Sequence, residues 1–189
     1  MNTYILGLTG ASGSAYFLRT AQALLDAGHA LRVVASATGV QVLAYETGVD
    51  LAAWAKARPN VTLEDNADLF SPIASGSRSF DGMAVVPCSM STLGLLAHGI
   101  TETLLTRSAD VMLKQRRPLV LMARETPLTS IHLQNMLTLS QCGAIILPAM
   151  PGFYSRPQTL DDAVDFMAGK VLDCLGVDHH LYKRWRETE

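Results

Sequence analysis

The chain has 189 residues, enough for one domain with a sizeable core and barely enough for two. Its formal net charge of -2 argues against nucleic acid as the main partner, because phosphate neutralisation needs a basic excess or stripe. Hydrophobic residues reach 49% with only 17% charged, a composition that points to surface buried between subunits rather than to a membrane, since no apolar run approaches the ~20 residues a spanning helix needs.

Tyr4 to Thr9 reads as a first strand, and Gly10-Ala11-Ser12-Gly13 as the tight turn after it. Ser14 to Ala27 then carries Phe17, Leu18, Ala21, Leu24 and Leu25 at helical spacing, with Gly28 as the cap. Leu31 to Ala35 makes a second strand ending at Ser36, and Val40 to Thr47 a helix stopped by Gly48. From about Leu51 to Asp81 the chain turns polar and irregular and reads as connecting structure. Gly82 to Val86 is a strand that runs into Pro87-Cys88-Ser89, with helices expected over Thr92–His98 and Leu104–Leu113. Leu119–Ala123 is the next strand, Ser130–Ser140 a helix, Ala144–Leu147 a strand, and Thr159–Leu175 the last long helix. Strands alternating with helices predict a Rossmann-like three-layer α/β/α domain over 1–189, with a mostly parallel central sheet.

In such a sheet, ligands sit at the carboxyl ends of the strands, and four of those ends carry unusual chemistry. The Gly10–Gly13 turn lets a backbone approach a ligand and offers helix N–H groups to an anion. It is not GxGxxG, and the second strand ends at Ser36 rather than at an acid, so a mononucleotide fits better than a dinucleotide. Ser89, Ser91 and Thr92 bring three hydroxyls to a helix start, where one would suffice for capping. Arg124-Glu125 places a cation beside a carboxyl group after a buried strand, which suits an anionic ligand and a proton to be moved. Lys114 ends the preceding helix, where it also complements the helix dipole. Finally, Pro151 to Pro157 presents the Tyr154 hydroxyl on a constrained loop, with Lys170 on the helix that follows.

Cys88, Cys142 and Cys174 are odd in number and lack CxxC spacing, so they read as reduced thiols. None of the five histidines lies in a metal-binding pattern, and no metal is expected. The amino terminus has no basic n-region, so a cytoplasmic location is expected.

The motifs together closely resemble the flavin prenyltransferase family, called UbiX in bacteria. They are Thr-Gly-Ala-Ser-Gly at 9–13, Pro-Cys-Ser-Met-Ser-Thr-Leu at 87–93, Thr106-Arg107-Ser108-Ala109-Asp110-Val111, and 113–121 from Leu113-Lys114 onward. Arg124-Glu125-Thr126-Pro127-Leu128, His132 to Met136, Pro151 to Gln158 and Arg184-Trp185 complete the series in order. Arg-Glu-Thr-Pro with Pro-Gly-Phe-Tyr is the specific part, since Gly-Ala-Ser-Gly is shared with flavin-dependent cysteine decarboxylases. The chain departs from the family at Ala37-Thr38-Gly39 and, mildly, at Ser14-Ala15.

The resemblance implies a metal-independent enzyme that joins a dimethylallyl group from dimethylallyl monophosphate to N5 and C6 of reduced FMN. Its product, prenylated FMN, serves UbiD-type decarboxylases, and the family commonly assembles as a homo-oligomeric dodecamer. It further implies FMN contacts from Gly10, Ala11, Ser12, Ser36, Ser89, Met90, Ser91, Thr92 and Arg124. Tyr154 and Lys170 would hold the dimethylallyl phosphate, helped by Arg124, Lys114 and Arg107, the last from a neighbouring subunit. Glu125 would protonate the departing phosphate, and Ser12 and Glu46 would manage protons at the flavin. An FMN-dependent decarboxylase, or a non-catalytic FMN carrier or assembly subunit, stays open as an alternative. A cysteine-oxidising relative would carry an early histidine, where this chain has Ser14, Ala15 and Tyr16.

Overall fold

Every strand among the described residues joins one six-stranded sheet in the order β3-β2-β1-β4-β5-β6, and each of these pairings is parallel. The strands of this computed structural model, which describes residues 1–186, are β1 (Thr3–Leu8), β2 (Ala30–Ala35), β3 (Val61–Glu64), β4 (Gly82–Cys88), β5 (Leu119–Ala123) and β6 (Ile145–Ile146). The end of the expected 1–189 domain, residues 187–189, lies outside the described residues. The helices are α1 (Ser14–Asp26), α2 (Ala37–Thr47), α3 (Leu51–Lys56), α4 (Met90–Ala97), α5 (Leu104–Lys114), α6 (Ser130–Gln141) and α7 (Leu160–Leu175).

Side chains alternate across each strand, and the two faces build two cores. Tyr4, Leu6 and Leu8 of β1 join Phe17 and Leu24 of α1 and Met167, Val171 and Leu172 of α7 on one side. Ile5 of β1 joins Leu93 of α4, Leu104 and Met112 of α5 and Leu139 of α6 on the other. Covered on both faces, β4 and β5 are buried along their whole length, which is why they read as continuous apolar runs. The Arg19–Asp165 ion pair fastens α1 to α7.

Three expectations change. The stretch from 51 to 81 is not merely connecting: it holds α3 and the edge strand β3. Thr62 and Leu63 of β3 are exposed, so an edge strand with one covered partner leaves no apolar alternation to detect. Helix α2 begins at Ala37, three residues early, because Ser36 caps it by accepting from the Gly39 N–H at 3.0 Å. Helix α4 begins at Met90 for the same reason, with Ser89 as its cap.

The order places the reversal of sheet direction between β1 and β4, whose carboxyl ends diverge into their separate helices. That crevice is where an open parallel sheet accepts ligands.

Candidate functional site

Thr9, buried just past β1, holds the two sides of this crevice together. Its hydroxyl donates to the Pro87 carbonyl at 2.7 Å and accepts from the Ser89 N–H at 2.8 Å. Ser89 is thereby pinned at the start of α4, where its own hydroxyl accepts from the Thr92 N–H at 3.3 Å. The Val86–Pro87 and Thr126–Pro127 bonds at the two strand ends are both cis.

A cavity of about 380 Å³ opens beside these turns. It is lined by Gly10, Ser36, Ser89, Ser91 and Thr92, five of the expected flavin-contacting residues. Thr38, Asn66, Thr103 and Thr106 complete the polar wall, and no charged side chain lines it. Gly10 permits this geometry, because a Cβ there would stand 2.5 Å from the Thr38 Cγ2. Asn66 follows β3, accepts from the Leu105 N–H at 2.9 Å, and its own carbonyl accepts from Leu104 at 2.9 Å. The start of α5 is drawn to the cavity in this way. Hydroxyls and helix N-termini without competing carboxylates fit the ribityl chain and phosphate of a mononucleotide.

The remaining expected flavin residues are placed differently. Ala11 is buried, and Met90 packs its side chain into the core beneath α4. Ser12 is exposed in the turn. Its carbonyl accepts from Arg124 Nε at 3.1 Å, so the ends of β1 and β5 meet across the end of β4.

The α1 N-terminus corrects one expectation, for it does not offer its N–H groups to an outside anion. The Glu46 carboxylate, from α2, accepts from Gly13 at 3.0 Å and from Ser14 at 2.8 Å. Partial burial opposes its charge, but hydrogen bonds from Ser12, Ser14 and Gly13 prevail and hold Glu46 below the usual carboxylate range. Ser12 and Glu46, paired by the resemblance, are therefore in direct contact.

Arg124 and Glu125 do not form an ion pair with each other among the described residues. Arg124 turns to Ser12, whereas Glu125 is exposed and accepts from the Thr126 N–H at 2.9 Å. Tyr16, half-buried on the first turn of α1, is a neighbour the sequence did not single out. Burial raises its phenol pKa while the Arg124 cation pulls it back. Cys88 is fully buried, which pushes its thiol up to about 12 and leaves it inert.

Tyr154 and Lys170 belong to one cluster. Tyr154, in a 3-10 turn over Phe153–Ser155, meets Phe166 of α7 edge-on at 5.6 Å. Phe166 in turn contacts Tyr182 at 4.8 Å, and Lys170 Nζ lies 3.5 Å from the Tyr182 hydroxyl and 3.2 Å from Asp173. Burial alone would lower the Lys170 pKa, but these partners raise it, so it is a firm cation.

Lys114 is not brought to this end by its own chain, whereas Arg107, on the first turn of α5 beside the cavity-lining Thr106, turns its side chain elsewhere. Lys114 precedes β5 and Arg124 follows it, so the two stand at opposite ends of the sheet. Lys114 lines a separate cavity with Arg116, Arg117 and Cys142. Arg107 donates to the Ala74 carbonyl at 3.1 Å and pairs with Asp110 at 3.1 Å. No cluster of three or more His, Cys, Asp or Glu fit to hold a metal occurs among the described residues. No helix among them is long and apolar enough to cross a membrane.

Comparison with known proteins fits this geometry. The Flavoprotein family model matches residues 2–172. The flavin prenyltransferase UbiX of Halalkalibacterium halodurans is 45% identical over 97% of this chain and 93% of its own length. That of Methanothermobacter thermautotrophicus is 47% identical over 96% and 94%. The solved structure of AnUbiX (PadA1) in complex with FMN and dimethylallyl pyrophosphate superposes with a TM-score of 0.93 at 37% identity, covering 100% of this chain and 99% of that one.

Proposed function

The chain belongs to the flavin prenyltransferase UbiX family of flavoproteins, and from that membership we propose how its residues divide the work. The enzyme transfers a prenyl group to FMN, and the readings as a decarboxylase or an inert carrier are given up. The observation that carries the assignment to this chain is the hydroxyl-lined cavity at the β1–β4 crevice.

Ser89, Ser91 and Thr92 at the start of α4 would hold the FMN phosphate, and Gly10 and Ser36 the ribityl chain. Ala11, Ser12 and the Met90 backbone border it, and Arg124 faces the phosphates of both ligands. Reduced FMN supplies the electron-rich N5 and C6 that take up the five-carbon unit. The donor is dimethylallyl monophosphate, and its phosphate is held by Tyr154, Lys170 and Arg124. Lys114, at the opposite end of the sheet, joins that site from a neighbouring subunit, and Arg107 does so with it, in keeping with a dodecamer such as the one described for the Escherichia coli UbiX-like protein.

Monophosphate is a poor leaving group, so breaking its C–O bond needs both cations and a proton. The lysine and arginine side chains neutralise the charge that develops, a role for which no metal is required. Glu125, exposed beside Arg124, gives its proton to the departing phosphate. Ser12 and Glu46, already in contact, accept or return protons at the flavin. The product serves a UbiD-type decarboxylase, and the reaction takes place in the cytoplasm.

Anaerobic incubation with reduced FMN and dimethylallyl monophosphate, followed by mass spectrometry of the flavin, tests this reading. A flavin heavier by one five-carbon unit is expected. Unmodified flavin with this and other prenyl donors would overturn it.

A further inference from the structure

Away from the flavin crevice, four polar side chains converge on Asp173 of α7. Its Oδ2 accepts from the Tyr182 hydroxyl at 2.6 Å and from Lys170 Nζ at 3.2 Å. Its Oδ1 accepts from Arg184 Nη2 at 3.0 Å and contacts His179 Nε2, also at 3.0 Å. Three of those four partners come from the segment that follows α7. Asp173 thus fastens that segment back onto its own helix.

The helix surface is shaped to receive it. A Cβ on Gly169 would stand 2.6 Å from the Tyr182 ring and 2.7 Å from His179, so only a bare backbone admits both rings. The residue after Arg184 is Trp185, whose ring meets Tyr154 edge-on at 5.5 Å. Two routes therefore run from Asp173 to Tyr154, one through Tyr182 and Phe166 and one through Arg184 and Trp185.

We propose that Asp173 is a positioning residue for the prenyl phosphate: it fixes the Lys170 ammonium and clamps the following segment so that Trp185 stands against Tyr154. The inference rests on the functional reading given above. Lys170 is a point charge on a flexible stem, and without a fixed partner its ammonium has no preferred place. The carboxylate does not repel the ligand outright, since Lys170 and Arg184 together outweigh its single charge.

Asp173→Asn keeps the shape of the side chain and removes its charge. In that variant KM for dimethylallyl monophosphate rises about tenfold or more, while kcat at saturation and FMN affinity change no more than about twofold. Tyr182→Phe, which keeps the ring over Gly169 and deletes only the hydroxyl, shows the same split at smaller size and covers the case in which Asp173→Asn does not fold. An unchanged KM in either folded variant overturns the proposal, as does equal weakening of FMN and donor, which marks a purely structural role. Wild-type enzyme is the internal control: if it forms no adduct, the functional reading fails, whereas an active wild type with no split refutes only the role of Asp173.

Discussion

The Glu46 carboxylate accepts the Ser14 N–H at 2.8 Å, so α2 supplies the cap that Gly13, having no side chain, cannot give to α1. A carboxylate at a helix start is stabilised by the free N–H groups and by the positive end of the helix dipole. The position that looked open to a phosphate is thus filled from within the protein, which is why the proposed phosphate site is at the start of α4 instead.

Replacing Glu46 by Gln follows from this contact. At neutral pH the wild type is more stable than Glu46→Gln by about 0.5–1 kcal/mol, modest because the carboxylate is largely exposed. Since the folded state holds the Glu46 pKa below its ordinary 4.5, the advantage is complete above that value. It is lost as pH falls through the lowered folded value. Urea denaturation of both proteins across the acid range checks this, and the two stability curves converge at low pH.

Thr9→Val removes a buried hydroxyl while keeping its shape. The Pro87 carbonyl and the Ser89 N–H both lose their partner. The expected cost is about 2–3 kcal/mol, read from the urea midpoint at unchanged slope. FMN also binds more weakly, by fluorescence titration, because Ser89 is no longer pinned beside the cavity.

Glu125→Gln separates binding from chemistry. Among the described residues its side chain accepts a hydrogen bond from the neighbouring Thr126 N–H, and it does not line the hydroxyl-rich cavity. FMN affinity therefore stays within about twofold while the rate of adduct formation falls at least about a hundredfold. Single-turnover measurement with preloaded FMN checks this, and an unchanged rate removes Glu125 from the acid role.

Much of this protein is legible along the chain because its central strands are buried on both faces. β4 and β5 are unbroken apolar runs, and α1, α5 and α7 repeat their apolar residues at helical spacing. β3 was not legible, since an edge strand with exposed Thr62 and Leu63 has no pattern to show. Asn66 and Thr103 escaped notice with it, and Thr106 was read as part of a motif without a contact, because all three reach the cavity only once β3 is paired and α5 is docked on Asn66.

The sequence by itself determined the fold class, the four chemical turns and, through the order of its motifs, the family. Those depend on local spacing and residue type, which the chain carries in one dimension. Only the tertiary structure decided which of those residues meet. Lys114 and Arg124 are ten positions apart, yet an intervening parallel strand sends them to opposite ends of the sheet. Glu46 and Ser14 are thirty-two apart and in contact. A parallel sheet gathers the carboxyl ends of distant strands and separates the two ends of each, so proximity in its site is set by strand order rather than by distance along the chain.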